Sequence, residues 1–139
     1  REVTMFAFFV LLIPSSSLAT EVPLARPDYS LCLSRSKHAQ LGPHYYFFSW
    51  VDPSAQTLLY DWYSAKNFCR QRCMDLVSLE SEEENSFVKS AISSNNIPHI
   101  WTSGRKCNFP GCERPDLRPA IINGWFWSGS GLFLNPTNN

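Results

Sequence analysis

The residues of this 139-residue chain whose chemistry is easiest to predict are five cysteines: Cys32, Cys69, Cys73, Cys107 and Cys112. Thiols pair as disulfides in an oxidising compartment, and an odd number leaves one thiol over. Cys107 and Cys112 enclose a turn-forming Asn-Phe-Pro-Gly stretch, so we expect them to bond to each other. Cys69 and Cys73 lie one turn apart on one face of a predicted helix, which makes a bond between them awkward. One of these two must therefore pair elsewhere.

A zinc site is the alternative use of the same thiols. The spacings Cys69-x3-Cys73 and Cys107-x4-Cys112 could place four thiolates around one ion, with His99 as a further candidate ligand. The irregular spacing and the secretory leader described below count against this alternative. The three histidines stand alone in the sequence, and we expect each to be a surface or packing residue.

The sequence contains none of the common enzyme motifs: no G-x-S-x-G, no H-E-x-x-H, no P-loop and no glycine-rich dinucleotide turn. Glu82, Glu83 and Glu84 are consecutive, and consecutive residues on a helix do not face one another. We therefore predict that the protein is not an enzyme, with no catalytic residue, no metal ligand and no cofactor held by this chain. Residues 105–122 are a proline-rich polar segment, which is either a solvated loop or a recognition surface.

Residues 1–19 are predicted to be a secretory signal peptide. The apolar run Met5–Ile13 is far shorter than the roughly twenty residues that span a bilayer, and small residues at Ser17 and Ala19 fit a cleavage site. No second apolar span follows, so we expect a secreted, extracellular protein without a membrane anchor. Twelve basic and twelve acidic residues cancel without forming a basic stripe, so nucleic acid is not an expected partner.

The elements that must position the cysteines are predicted between residues 61 and 101. Asp61 can cap a first helix, and the alternating residues Asp75–Leu79 predict a short strand. Ser81 and Glu84 form a capping box for a second helix, in which each side chain accepts from the backbone N–H of the other. The pattern indicates an α+β fold.

Four motifs in this order resemble the first half of a C-type lectin-like domain. They are Phe68-Cys69 on the first helix, Glu84-Asn85-Phe87-Val88 at the start of the second, Ile100–Gly104 as a core strand and Gly124–Gly129 as a later segment. The core strand departs from the family pattern, because Thr102 and Ser103 replace an apolar pair. The resemblance covers about residues 43–134. It implies a truncated C-type lectin-like fold, in which two helices and the first strands are present and the long loop and closing strands are absent.

The domain organisation implied by this resemblance has three parts. The signal peptide at 1–19 is followed by an N-terminal tail at 20–42, which we expect to be extended and mobile except near Cys32, and by a partial C-type lectin-like domain at 43–139. In the family, a strand at the position of His44–Trp50 lies beside the end of the domain.

The resemblance also implies the remaining disulfide. In the family, the helix cysteine that follows phenylalanine, here Cys69, bonds to a cysteine near the end of the domain. That leaves Cys73 for Cys32, and it leaves Cys69 unpaired because its partner is missing from this chain.

Carbohydrate recognition is the function that the resemblance implies. The family's calcium and sugar ligands lie in E-P-N or Q-P-D and W-N-D motifs, and neither occurs in this chain. No sugar-binding residue can therefore be assigned from the family, although calcium is possible in a full-length domain. The alternative is a calcium-independent module that binds extracellular matrix or another protein. The expected partner is thus a carbohydrate or an extracellular protein.

Overall fold

A computed structural model describes residues 22–134 of the chain, so the predicted signal peptide lies outside the described residues. Within that range the fold is mixed α+β, with four short-to-medium helices and two small antiparallel sheets. The elements in chain order are α1 (Tyr29–Ser34), β1 (Ala39–Leu41), β2 (His44–Tyr46), α2 (Trp62–Gln71), α3 (Glu82–Ser94), β3 (Gly104–Lys106), a 3-10 turn (Pro115–Leu117), α4 (Ala120–Asn123) and β4 (Trp125–Trp127). The α+β class predicted from the sequence is confirmed at this coarse level.

Helix α2 begins where the sequence predicts, because the Asp61 side chain accepts a hydrogen bond from the Ser64 N–H at 2.7 Å. Its end differs from the prediction. The helix stops at Gln71, and Cys73 takes a left-handed backbone conformation with φ of 56°. The Cys73 N–H donates to the Arg70 carbonyl and the Met74 N–H to the Cys69 carbonyl, which together form a Schellman motif. Cys73 therefore leaves the helix face that carries Cys69.

Helix α3 has only half of the predicted capping box. The Ser81 hydroxyl accepts from the Glu84 N–H at 3.1 Å, as expected. The Glu84 carboxylate does not reach back to Ser81; it accepts instead from the Glu80 N–H at 3.3 Å and from the Tyr46 hydroxyl at 2.7 Å. The Tyr46 phenol thus takes the place of the Ser81 N–H as a donor to this carboxylate. Because Tyr46 belongs to β2, the hydrogen bond connects α3 to β2.

The strands are shorter than the sequence predicts. The predicted strand His44–Trp50 is regular only over β2, which pairs with β1 in a hairpin. The predicted strand Asp75–Leu79 is not formed, and the predicted core strand at 100–104 is displaced to β3, which pairs with β4. One backbone hydrogen bond, from the Ser103 N–H to the Val77 carbonyl, joins these two segments, whereas a strand needs a ladder of such bonds with a neighbour.

The N-terminal tail is extended in strand β1 and forms helix α1 around Cys32, the position that the prediction of an extended tail excepted. Helix α1 is capped by Asp28, whose carboxylate accepts from the Leu31 N–H at 3.0 Å. The Asp28 N–H in turn donates to the Gln71 carbonyl at 2.9 Å, so the helix lies against the end of α2. The local pattern was too short to indicate a six-residue helix, which tertiary contact stabilises instead.

Polar contacts connect α2 and residues 75–78 with the residues that flank β3 and β4. Ser103 is completely buried, and its hydroxyl lies 2.7 Å from that of Ser78. Lys66, only 4 % exposed, donates from its ammonium to Asp75 at 2.8 Å and to Ser128 at 3.0 Å. The buried side chains of Lys66 and Ser103 therefore both have hydrogen-bond partners, as buried polar groups generally do. The contact with Ser78 therefore satisfies the Ser103 hydroxyl in the interior.

Two disulfides join the elements. Cys32 of α1 bonds to Cys73, with Cα atoms 5.2 Å apart, and Cys107 bonds to Cys112, with Cα atoms 5.5 Å apart. These are the same pairs that the sequence analysis expected. Cys69 is the free cysteine, and all five cysteines lie in the described part of the chain.

Removal of the Cys32–Cys73 disulfide is expected to cost far more stability than removal of the Cys107–Cys112 disulfide. The first closes a loop of 41 residues and the second a loop of five. Loop-closure entropy predicts losses of about 4 and about 2 kcal/mol in the free energy of unfolding. Urea denaturation of the double alanine variants would measure both. An equal loss in the two variants would contradict the entropic account.

Candidate functional site

The larger concave surface is a cleft of about 1160 Å³. We define the cleft as the space between residues 44–60 on one side and the middle of α2 with residues 74–80 and 97–101 on the other. Its lining is largely aromatic and aliphatic. A cleft of this size and chemistry is suited to a polypeptide segment or another extended apolar ligand.

Phe68 is the centre of the aromatic lining. Its ring centroid lies 5.7 Å from that of Phe47 and 5.5 Å from that of Tyr60. The guanidinium carbon of Arg72 lies 3.5 Å from the Phe68 ring centroid, which places a cation against the ring face. Helix α2 therefore presents an aromatic ring to the cleft, and Arg72, just after the helix, packs against that ring.

Two polar atoms in the cleft have no hydrogen-bond partner among the described residues: the indole Nε1 of Trp50 and the hydroxyl of Tyr60. Burial raises the pKa of the Tyr60 phenol, so the hydroxyl keeps its proton and can donate. Burial and the Glu84 carboxylate likewise raise the pKa of Tyr46. An unpaired buried donor costs free energy, so an occupant with hydrogen-bond acceptors would stabilise the cleft.

Cys69 lines the same cleft without a sulfur partner. Burial raises the pKa of its thiol to about 11, and the Asp75 carboxylate adds to the rise, while Arg72 and Lys66 oppose it. The thiol is therefore protonated at neutral pH and is a weak nucleophile.

Another concave surface is a shallow, open depression beside the start of α2, and we call it the tryptophan cavity. Its volume is about 310 Å³, close to the lower limit for small-ligand sites. Its lining combines aromatic rings, two cations and an amide: Trp62, Tyr63, Trp101, Gly104, Arg105, Lys106, Asn108 and Trp125. Trp101 also borders the cleft, so the two surfaces meet at its ring.

The three tryptophans of the cavity are held by their own indole N–H groups. Trp62 donates to the Thr102 carbonyl at 2.9 Å, Trp101 to the Tyr60 carbonyl at 2.8 Å and Trp125 to the Ile121 carbonyl at 3.0 Å. The polar edge of each ring is thus satisfied by the protein. The rings of Trp101 and Trp125 nevertheless remain 50 % and 39 % exposed. Apolar faces in fixed orientations are therefore presented to solvent.

Arg105 lies among aromatic rings beside these tryptophans. Its guanidinium carbon is 4.8 Å from the ring centroid of Phe109 and 5.5 Å from those of Trp62 and Tyr63. One N–H donates to the Tyr63 hydroxyl at 3.0 Å. Cation–π contact of this kind orients the guanidinium without neutralising its charge.

The residues singled out by the sequence are dispersed across these surfaces. The disulfide cysteines hold α1 and the 107–112 loop in place, while Cys69 and Cys73 also line the cleft. Cys73, Cys107 and Cys112 are all in disulfides, which contradicts the zinc alternative. Within residues 22–134 no group of three or more His, Cys, Asp or Glu side chains is placed to hold a metal ion.

Arg105, Lys106 and Asn108 of the tryptophan cavity belong to the 105–122 segment considered as a recognition surface, whereas the tryptophans of the cavity were not predicted as a site. The sequence signal was the unusual number of aromatic residues, five of them tryptophan, but composition could not separate core rings from surface rings. None of the helices between residues 22 and 134 has the length and apolar character needed to cross a membrane.

Comparison of the chain with protein-family models, with curated proteins and with solved structures finds no match in any of the three.

Cys69 is expected to resist alkylation in the folded protein. With a pKa of about 11, only about one thiol in a thousand is ionised at pH 8, and burial further limits access. Mass spectrometry after iodoacetamide treatment should detect no modification natively and one per chain in urea without reductant. Stoichiometric native labelling at pH 8 would contradict the raised pKa of the thiol.

Proposed function

We propose that the protein is an extracellular C-type lectin-like binding protein that holds carbohydrate in the tryptophan cavity without calcium. The observation that carries the proposal is the set of three indole rings whose N–H groups are already bonded to the backbone. The rings can therefore offer only their apolar faces. The C–H face of a sugar ring packs against such a surface, because both are flat and weakly polar.

Hydroxyl groups of the sugar would find partners at the rim of the same cavity. Asn108 offers an amide that both donates and accepts, and Lys106 offers an ammonium donor. Fixed apolar faces with a few polar groups around them are the usual composition of a small-ligand site. The two disulfides support an extracellular location, since such bonds persist in oxidising compartments.

Replacement of Trp125 by alanine is expected to weaken carbohydrate binding at least about tenfold, a change of about 1.4 kcal/mol in binding free energy. Trp125 is the best choice because it lines the tryptophan cavity and not the cleft. The measurement is isothermal titration of the full chain with chitohexaose and a heparin-derived hexasaccharide, in EDTA and in calcium.

The matched control is Tyr29→Ala, which removes an aromatic ring that is 80 % exposed and belongs to neither surface. It should bind as the unmodified chain does. Trp125→Phe keeps a ring and should retain part of the affinity. Binding that needs calcium, or that survives Trp125→Ala unchanged, would count against the proposal.

A protein-interaction module is the second candidate, and the unpaired donors of the cleft favour it. An extended peptide has backbone carbonyls that could accept from Trp50 Nε1 and from the Tyr60 hydroxyl. Its apolar side chains would contact the aromatic lining.

This candidate predicts that Tyr60→Phe, which removes only the hydroxyl, weakens binding to collagen, fibronectin or laminin by roughly fivefold, the effect of one hydrogen bond. Surface plasmon resonance with each protein immobilised would measure it. Trp125→Ala is the control and should leave this binding unchanged. An equal affinity of Tyr60→Phe and the unmodified chain for a bound protein would exclude the cleft as the contact.

A further inference from the structure

Arg105 has an unused capacity for hydrogen bonding. A guanidinium carries five N–H donors in a planar fork. Of these, one donates to the Tyr63 hydroxyl, and no other acceptor among residues 22–134 receives a hydrogen bond from this side chain. The side chain is half-buried and lines the tryptophan cavity.

The charge of Arg105 is also unpaired. Within the described chain, ion pairs form between Lys66 and Asp75 and between Arg114 and Asp116, and no carboxylate lies within 4 Å of Arg105 or Lys106. The two adjacent cations both line the cavity. The sequence between residues 101 and 125 contains four basic and two acidic residues, so this part of the molecule is positive although the whole chain is neutral.

A half-buried cation with free donors and no counter-ion is stabilised by an incoming anion. The fork of a guanidinium matches the paired oxygens of a carboxylate or a sulfate, and such bidentate contacts are among the stronger hydrogen bonds in proteins. The surrounding rings of Trp62, Tyr63 and Phe109 already hold the fork in place, so little side-chain entropy is lost on binding.

We infer that the ligand of the tryptophan cavity is an anionic glycan, whose sulfate or uronic carboxylate binds Arg105 and Lys106 while its sugar rings pack on the tryptophans. This inference rests on the proposed function and specifies the ligand class of the same site. The aromatic faces favour a glycan over a bare anion, because a bare anion has no apolar surface to pack against them. The unpaired cations distinguish it from a neutral sugar.

The test is isothermal titration of the full chain, in EDTA, with three hexasaccharides. A heparin-derived hexasaccharide carries sulfates and carboxylates, its desulfated counterpart carries carboxylates, and chitohexaose is neutral. The heparin hexasaccharide should bind at least about tenfold more tightly than chitohexaose. Added salt should weaken the first interaction and not the second, because salt screens charge.

The informative variants are Arg105→Gln and Lys106→Gln, which keep a polar side chain and remove the charge. Arg105→Gln should lose at least about tenfold in affinity for the heparin hexasaccharide and keep its affinity for chitohexaose. Lys106→Gln breaks no ion pair or hydrogen bond of the described chain, so it tests the charge even if Arg105→Gln unfolds. Arg26→Gln removes an exposed charge that lines neither surface and is the matched control.

The outcomes separate the inference from the proposed function. Equal binding of all three sugars, unaffected by Arg105→Gln, would overturn the anionic ligand and leave carbohydrate binding intact. Binding of none would overturn both. Equal losses of heparin-hexasaccharide affinity in Arg26→Gln and Arg105→Gln would indicate a diffuse charge effect and overturn the inference. Binding to phosphatidylserine vesicles as tight as binding to the heparin hexasaccharide would do the same.

The desulfated hexasaccharide identifies the anionic group that is bound. If it binds as tightly as the heparin hexasaccharide, the inference is supported and the carboxylate is the group bound by Arg105 and Lys106. If it binds more weakly, the inference is supported and the sulfate is that group.

Discussion

The turn that ends helix α2 is the constraint on which most of the architecture depends. A Schellman motif there normally has glycine at its left-handed position, and here the residue is Cys73. A side chain in that conformation costs on the order of 1 kcal/mol. The turn places the Cys73 sulfur beside Cys32, and the resulting disulfide holds α1 against α2. Local strain is thus offset by a bond that spans 41 residues.

The other end of α2 is held by hydrogen bonds from tryptophans. Trp62 of the helix donates to the Thr102 carbonyl, and Trp101 donates back to the Tyr60 carbonyl just before the helix. This reciprocal pair fixes the helix start against residues 101 and 102. It also orients the two rings that line the tryptophan cavity. The same contacts therefore serve the fold and shape the proposed binding surface.

The interior between these two ends is small, and polar contacts contribute to it. Few large side chains are fully buried among residues 22–134. The residue with essentially no exposure is a small polar one, Ser103. Its contact with Ser78 and the contact of Lys66 with Asp75 and Ser128 connect segments that no long sheet joins. Small domains commonly supplement a limited core with disulfides, as this one does.

The sequence alone determined the features that depend on neighbouring residues: the caps of α2 and α3, the short disulfide of the 107–112 loop and the α+β class. It did not determine the features that depend on distant partners. Residues 75–79 form no strand, and the Glu84 carboxylate accepts a hydrogen bond from Tyr46 of β2. The tryptophan cavity is of this second kind, because its rings come from three separate segments. Only the folded chain brings them together beside an unpaired Arg105, since side-chain proximity across 40 residues is a property of packing and leaves no local pattern.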